Sequence, residues 1–175
     1  MGARLLPLTV AELCAHALEL ERDAAQRCKD YAVRMRELGE EPFAETFDAL
    51  HSEELEEIAA LEAASGPRKP IELSPWEYAW RLTYTPEAME NKPRLVPLNA
   101  REALQLTLLA KRRAETFYGD CAQHAREAVV RGCAAEMAAN ERKQMQRLER
   151  LLAQEIRNEK RGGGSPSGSS DTHHA

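Results

Sequence analysis

Hydrophobic positions recur with the period of an α-helix in four long segments of the chain. At about 100° per residue, apolar side chains share one face over residues 9–38, 42–64, 100–127 and 130–161. Thr9 and Glu12 have the spacing of a capping box, and Asn99 stands where it can cap the third segment. The pattern predicts an all-α protein with four helices.

A Pro-rich connection, residues 65–99, separates the second helix from the third. Within it, "PWEYAWRL" predicts a short helix that carries both tryptophans. A connection this long in a small helical domain needs a reason, and a crossover that runs the length of a bundle supplies one. We therefore expect residues 1–161 to form a four-helix bundle of two antiparallel hairpins joined by the crossover 65–99.

The end of the chain, residues 162–175, is the low-complexity stretch "GGGSPSGSSDTHHA". Gly- and Ser-rich segments of this kind bury too little apolar surface to offset the loss of chain entropy. We expect this tail to be disordered.

Composition narrows the classes of function. The formal net charge of −5 offers no basic surface for nucleic acid. No apolar run approaches the ~18 residues of a membrane span, and the chain does not open with a signal peptide. The four cysteines have no C-x-x-C pairing, which favours small buried thiols in a reducing cytoplasm over a metal-thiolate site. We expect a cytoplasmic protein that contacts neither nucleic acid nor membrane.

Each helix carries a charged residue near the middle of its apolar face. The four are Glu21, Glu54, Lys111 and Glu141. Glu57 lies about 60° to one side of the second face, and Gln144 lies at the edge of the fourth. A single glutamate in such a helix is most often a solvated flank, but four at matching depths predict a buried charged cluster. Such a cluster requires cations, protons or both.

The two hairpins resemble each other in sequence. A shift of 90 positions lays Glu12 over Glu102 and Glu21 over Lys111, while a shift of 87 lays Glu54 over Glu141 and Glu57 over Gln144. The identities are sparse, and they suggest an internal duplication.

At these residues the sequence resembles the ferritin-like superfamily, and within it the rubrerythrin-like branch. The resemblance covers roughly residues 9–155 and is strongest at "ELERDAAQRC", "FDALHSEELEE" and "AETFY". It implies a bundle that holds two iron ions between glutamates and histidines. By this likeness Glu21, Glu54 and Glu141 stand at metal-binding glutamate positions, Glu57 and Gln144 at the two histidine positions, and Lys111 at a glutamate position. The chain has no rubredoxin segment.

The departures from the family pattern fall mainly on one half of the site. The likeness implies one half-site with four oxygen ligands, Glu21, Glu54, Glu57 and Glu141, suited to iron, manganese or magnesium. A protonated lysine cannot ligate a metal, so we interpret Lys111, together with Gln144, as the substitute for the second ion. We expect at most one ion per chain, iron or manganese. The family's chemistry is redox reaction with peroxide or oxygen, and Tyr118 is the expected redox-active side chain.

A second interpretation needs no metal. Lys111, Glu54 and Glu141 then form a salt-bridge network that holds together a bundle with a structural or partner-binding role. Under either interpretation we expect a homodimer, with the aromatic residues 75–84 as a possible surface for a protein partner. His16, His51 and His124 lack ligand spacing to the glutamates and are expected at the surface or flank.

Overall fold

The computed structural model describes residues 6–64 and 96–162, and these form four α-helices and no strands. We number the helices α1 (Val10–Glu37), α2 (Glu41–Ala64), α3 (Ala100–His124) and α4 (Ala128–Gly162). The predicted all-α four-helix bundle is confirmed. The predicted crossover, the helix at "PWEYAWRL", the partner surface 75–84 and the tail from residue 163 onward lie outside the described residues.

Short turns make each sequential pair of helices an antiparallel hairpin. α1 ends in a Schellman motif: the N–H of Glu40 donates to the carbonyl of Met35, and that of Gly39 to Arg36. Gly39 has φ +76°, a conformation that glycine adopts without steric cost. The α3–α4 turn is held by the Arg131 guanidinium, which donates to the carbonyls of Ala125 and Arg126 at 2.8 and 2.7 Å.

The helix starts repeat the same hydrogen bonds in both hairpins. The N–H of Glu12 donates to Thr9 Oγ1, and the N–H of Glu102 donates to Asn99 Oδ1, so both predicted N-caps are confirmed. In return, each glutamate accepts a 2.6 Å hydrogen bond from the backbone of the residue before the cap, Leu8 or Leu98.

An ion pair between the helices of each hairpin is repeated as well. Arg22 pairs with Glu62 at 3.2 Å, and Arg112 pairs with Glu149 at 3.5 Å. The shift of 90 positions lays Arg22 over Arg112, and the shift of 87 lays Glu62 over Glu149, so the two ion pairs correspond in the sequence alignment. Together with the repeated caps, they support an internal duplication.

Two hydrophobic clusters fill the bundle, one toward each end. The Phe47 cluster is built around Tyr31, Met35, Phe47, Leu104 and Leu148. The Phe117 cluster is built around Leu13, Phe117, Tyr118, Cys121 and Val130. Between them lie the four charged residues that the sequence places on the apolar faces, which we call the charged layer: Glu21, Glu54, Lys111 and Glu141, all buried. The predicted burial of these four side chains is confirmed.

No helix among the described residues is both apolar enough and long enough to pass through a membrane.

Candidate metal centre

Lys111 occupies the middle of the charged layer. Its Nζ lies 2.8 Å from Glu54 Oε1 and 3.4 Å from Glu141 Oε2. A third carboxylate, Glu21 Oε2, is 3.8 Å away. The helical period of α3 alone predicts that Lys111 points inward, and the structure places it there with all three glutamates that the sequence assigns to the layer.

Burial and the excess of carboxylates shift the proton affinities of the layer. Burial is the main cause that raises the pKa of Glu21 to about 10, against the opposing charge of Lys111. The same two influences set the pKa of Glu141 at about 7. Burial on its own would lower the pKa of Lys111, but the charges of Glu141 and the other carboxylates outweigh it and raise the value. Without a metal, Lys111 is therefore charged while Glu21 keeps its proton at neutral pH.

Three carboxylates converge closely enough to hold one cation. Glu21, Glu54 and Glu57 each offer an oxygen, and these oxygens lie within 4.8 Å of one another. Glu54 Oε2 is buried and has no hydrogen-bond partner, an arrangement that costs free energy unless a proton or cation compensates it. Glu141, the fourth predicted ligand, lies outside this group and faces Lys111 instead.

Glu57 is held in place by two amides from α4. Its Oε1 accepts hydrogen bonds from Asn140 Nδ2 at 3.0 Å and from Gln144 Nε2 at 2.5 Å. Both bonds reach the same oxygen. The sequence placed Gln144 with Lys111 in the second half-site, whereas its contact is with a residue of the first.

Asn140 is a residue of the site that the sequence analysis missed. It is exposed and lies off the apolar face of α4, so helical periodicity gives it no special status. The available signal was the internal repeat, because a shift of 87 positions lays Asn140 over Glu53, one residue before Glu54, on the helix that carries two of the predicted ligands.

Tyr118 closes the site on the side of the Phe117 cluster. Its buried hydroxyl donates to Glu21 Oε1 at 3.4 Å. Burial, followed by the charge of Glu21, raises the pKa of the phenol well above its ordinary value, so the hydroxyl keeps its proton. The structure thus brings Tyr118 into contact with a predicted ligand, as its expected role requires.

A pocket of about 230 Å³ opens beside the charged layer. Its polar lining residues are Glu21, Glu57, Tyr118, Asn140 and Glu141. The remaining walls are apolar, formed by Ala17, Ala60, Leu61 and Met137. Small molecules from solvent can therefore reach the carboxylates from this side.

None of the three histidines among the described residues, His16, His51 and His124, belongs to the carboxylate group. His51 Nδ1 lies 2.9 Å from the carbonyl of Ala25, and His124 Nδ1 lies 3.1 Å from that of Asp120. The expectation of a surface or flank position is wrong for His16, which is 4% exposed. Its ring lies 5.2 Å from that of Phe117 in a tilted arrangement, because that stretch of α1 is buried on more than one face.

The fold is shared with a protein of known structure. The chain is similar to an uncharacterised conserved protein from Magnetospirillum magnetotacticum MS-1, with a TM-score of 0.69 and 22% sequence identity. The match covers 93% of this chain and 99% of the other. No family model matches the sequence, and no curated protein does. The likeness shows a common fold.

Proposed function

We propose that the chain is a rubrerythrin-like protein that binds one divalent ion, iron or manganese, through Glu21, Glu54, Glu57 and Glu141. The observation that carries this proposal is the convergence of three carboxylates, Glu21, Glu54 and Glu57, whose oxygens lie within 4.8 Å of one another. Carboxylate oxygens are hard ligands of the kind that these ions accept. The residues present therefore fit a single ion.

In this proposal the positive charge of Lys111 replaces that of a second metal ion. The four glutamates carry −4 when ionised, and the ammonium of Lys111 returns +1. One divalent ion leaves −1, which a single shared proton removes. The high pKa of Glu21 supports this count, because in the absence of a metal the site already retains a proton.

A bound iron ion would supply one-electron redox chemistry with peroxide or oxygen. The chain's own residues would then have distinct tasks. Two amide donors orient Glu57. The Tyr118 hydroxyl donates a hydrogen bond to Glu21. Lys111 keeps a fixed positive charge beside Glu54 and Glu141. We infer that Tyr118 is the redox-active side chain because it is the phenol in contact with a ligand.

One experiment tests both the metal and the chemistry. Full-length protein is loaded anaerobically with Fe(II) or Mn(II), and bound metal per chain is measured by elemental analysis. We expect at most one ion, with binding lost in Glu54→Gln and retained in the exposed control Glu56→Gln. Oxidation of the bound Fe(II) to Fe(III) by added peroxide should slow in Tyr118→Phe at unchanged metal content. Purified protein that takes up neither ion would exclude the proposal.

A specific contact favours a second function, that of a metal-free bundle. Lys111 Nζ already lies at hydrogen-bonding distance from Glu54 Oε1, 2.8 Å, and so provides an internal counter-charge. In that case the charged layer would hold the hairpins together for a structural or partner-binding role. The same metal analysis separates the two functions, because this one predicts no bound ion and no change of stability on adding iron or manganese.

A further inference from the structure

We propose that the pocket beside the charged layer binds a small organic molecule that is uncharged or cationic, and that it excludes anions. The polar end of this ligand would lie against the carboxylates, and its hydrocarbon end against Leu61 and Met137. The inference concerns the pocket of the proposed metal centre, but it does not require a bound metal.

Two residues that line the pocket differ in type from their counterparts in the internal repeat. The wall residue Ala60 corresponds, at a shift of 87 positions, to Arg147, and Asn140 corresponds to Glu53. At the pocket, the small side chain of Ala60 leaves the approach to the carboxylates open.

The counterparts of Ala60 and Asn140, which are Arg147 and Glu53, form an ion pair with each other. Arg147 donates from both terminal nitrogens to the two carboxylate oxygens of Glu53, each at 2.8 Å. Behind this pair, Leu50 and Leu148, the counterparts of Met137 and Leu61, are fully buried in the Phe47 cluster. Among the described residues, the carboxylates are therefore approached from the Ala60 side and blocked on the Arg147 side.

The chemistry of the pocket defines the class of ligand. Glu21, Glu57 and Glu141 border it, and Lys111 is the one cation paired with the layer among the described residues. Glu57 is only partly buried, so its carboxylate can accept a hydrogen bond from a ligand hydroxyl or ammonium, whereas Glu141 Oε2 already lies 3.4 Å from Lys111 Nζ. Glu21 keeps its proton, but the remaining carboxylates still outnumber the single Lys111 ammonium, so a carboxylate or phosphate would meet like charge.

Size limits the ligand further. A water molecule occupies about 30 Å³ of liquid, so a pocket of about 230 Å³ has room for roughly seven groups of that size. A chain of four carbons with one polar end group fits this volume. Its methylenes would contact the apolar lining residues and its polar end the carboxylates.

A matched series of three probes tests the inference: n-butanol, n-butylamine and butyrate, titrated into full-length protein kept metal-free by a chelator. Methionine methyl groups labelled with carbon-13 report binding by NMR, and Met137→Leu identifies the signal of Met137. We expect butanol and butylamine to shift this signal saturably, with dissociation constants in the millimolar range for such small molecules. Butyrate should leave the signal unshifted.

Variants locate the binding. Ala60→Arg places at the pocket the residue that closes the Arg147 side, and it should weaken binding by at least about tenfold. Ala59→Arg makes the same change at the exposed neighbouring residue and should leave binding unchanged. Should Ala60→Arg fail to fold, the wild-type comparison of the three probes still decides the matter.

Three results would overturn the inference: equal shifts with butyrate, no saturable shift with any probe, or undiminished binding in folded Ala60→Arg. Failure of the metal proposal gives a different pattern. Protein that takes up no iron or manganese but responds to butanol keeps the pocket and loses the metal. Protein that takes up metal but shows no saturable shift with any probe supports the metal proposal and overturns the pocket proposal.

Discussion

Lys111 Nζ lies 2.8 Å from Glu54 Oε1, and the two side chains are only 5% and 1% exposed. Water therefore screens this pair very little, and neither charge has an alternative solvent shell. Glu54 stands at the same depth in α2 as Lys111 in α3, so the contact ties the first hairpin to the second. The stability of the whole bundle should depend on it.

Lys111→Met removes the cation and leaves the carboxylates buried together. We expect a loss of about 3–5 kcal/mol in the free energy of unfolding of the metal-free protein, measured by urea denaturation with a chelator present. The exposed Lys143 on α4 provides the control, and Lys143→Met should change stability by less than about 0.5 kcal/mol. Equal effects of the two substitutions would contradict the role assigned to Lys111.

Lys111→Glu converts the lysine into a fifth carboxylate at the position where the family resemblance places a ligand. We expect the metal-free variant to be destabilised because like charges then meet in the core. Added Fe(II) or Mn(II) should reverse the loss, by about 2.7 kcal/mol at a hundredfold excess over the dissociation constant. Metal per chain should rise above that of the wild type. Lys111→Gln is the neutral control, and an equal rescue of Lys111→Gln would show that the new carboxylate is not a ligand.

Asn140→Ala removes one of the two amides that hold Glu57, at an exposed position where the fold itself depends little on it. Loss of a group that orients a metal ligand typically weakens affinity by about 10–100-fold. We expect that loss for iron or manganese, measured by titration, with a nearly unchanged unfolding midpoint. Gln146→Ala, an exposed amide on the same helix, should leave affinity unaltered.

The stability of the metal-free protein should decrease as pH rises. The pKa of Glu141 is about 7 and that of Glu21 about 10 in the folded protein, both above the ordinary value of 4.5. The unfolded chain therefore loses these protons first, and the folded state is favoured most strongly below about pH 4.5 with respect to these groups. The contribution of Glu141 is lost as pH rises through about 7, and that of Glu21 through about 10.

Urea denaturation at a series of pH values measures this decline. Glu141→Gln should flatten the curve only below about pH 7, whereas Glu21→Gln should flatten it over the whole range from about pH 4.5 to about pH 10. A stability that rises between pH 5 and 9 would contradict the assignment of protonated glutamates to the charged layer.

The sequence predicted those features that a single helix determines. Periodicity and capping residues located the four helices, with differences of at most three residues at their ends. The largest difference is at the end of α3, predicted at residue 127 and found at His124. There Ala125 adopts an extended backbone, and the side chain of Arg131 donates to the carbonyls of Ala125 and Arg126. The inward direction of Lys111 followed from the same periodicity.

Features that depend on the distance between two helices were not predictable from one helix at a time. Gln144 reaches Glu57 on α2, not Lys111, because the packing of α4 against α2 decides which side chains meet. Burial of His16 likewise depends on where Phe117 of α3 lies. The repeat in the sequence did contain the asymmetry between Ala60 and Arg147, but only the coordinates show that one half is open and the other closed.

The placement of the charged layer between two apolar clusters also determines how far along the bundle axis each helix can lie. Sliding one hairpin past the other by a single helical turn, about 5.4 Å, would carry Lys111 away from Glu54 and into contact with leucine side chains. Apolar side chains alone tolerate such a slip, since one hydrophobic contact replaces another. A lone cation and its carboxylates do not, because they find counter-charges at one position only. The layer therefore specifies a unique alignment of the two hairpins.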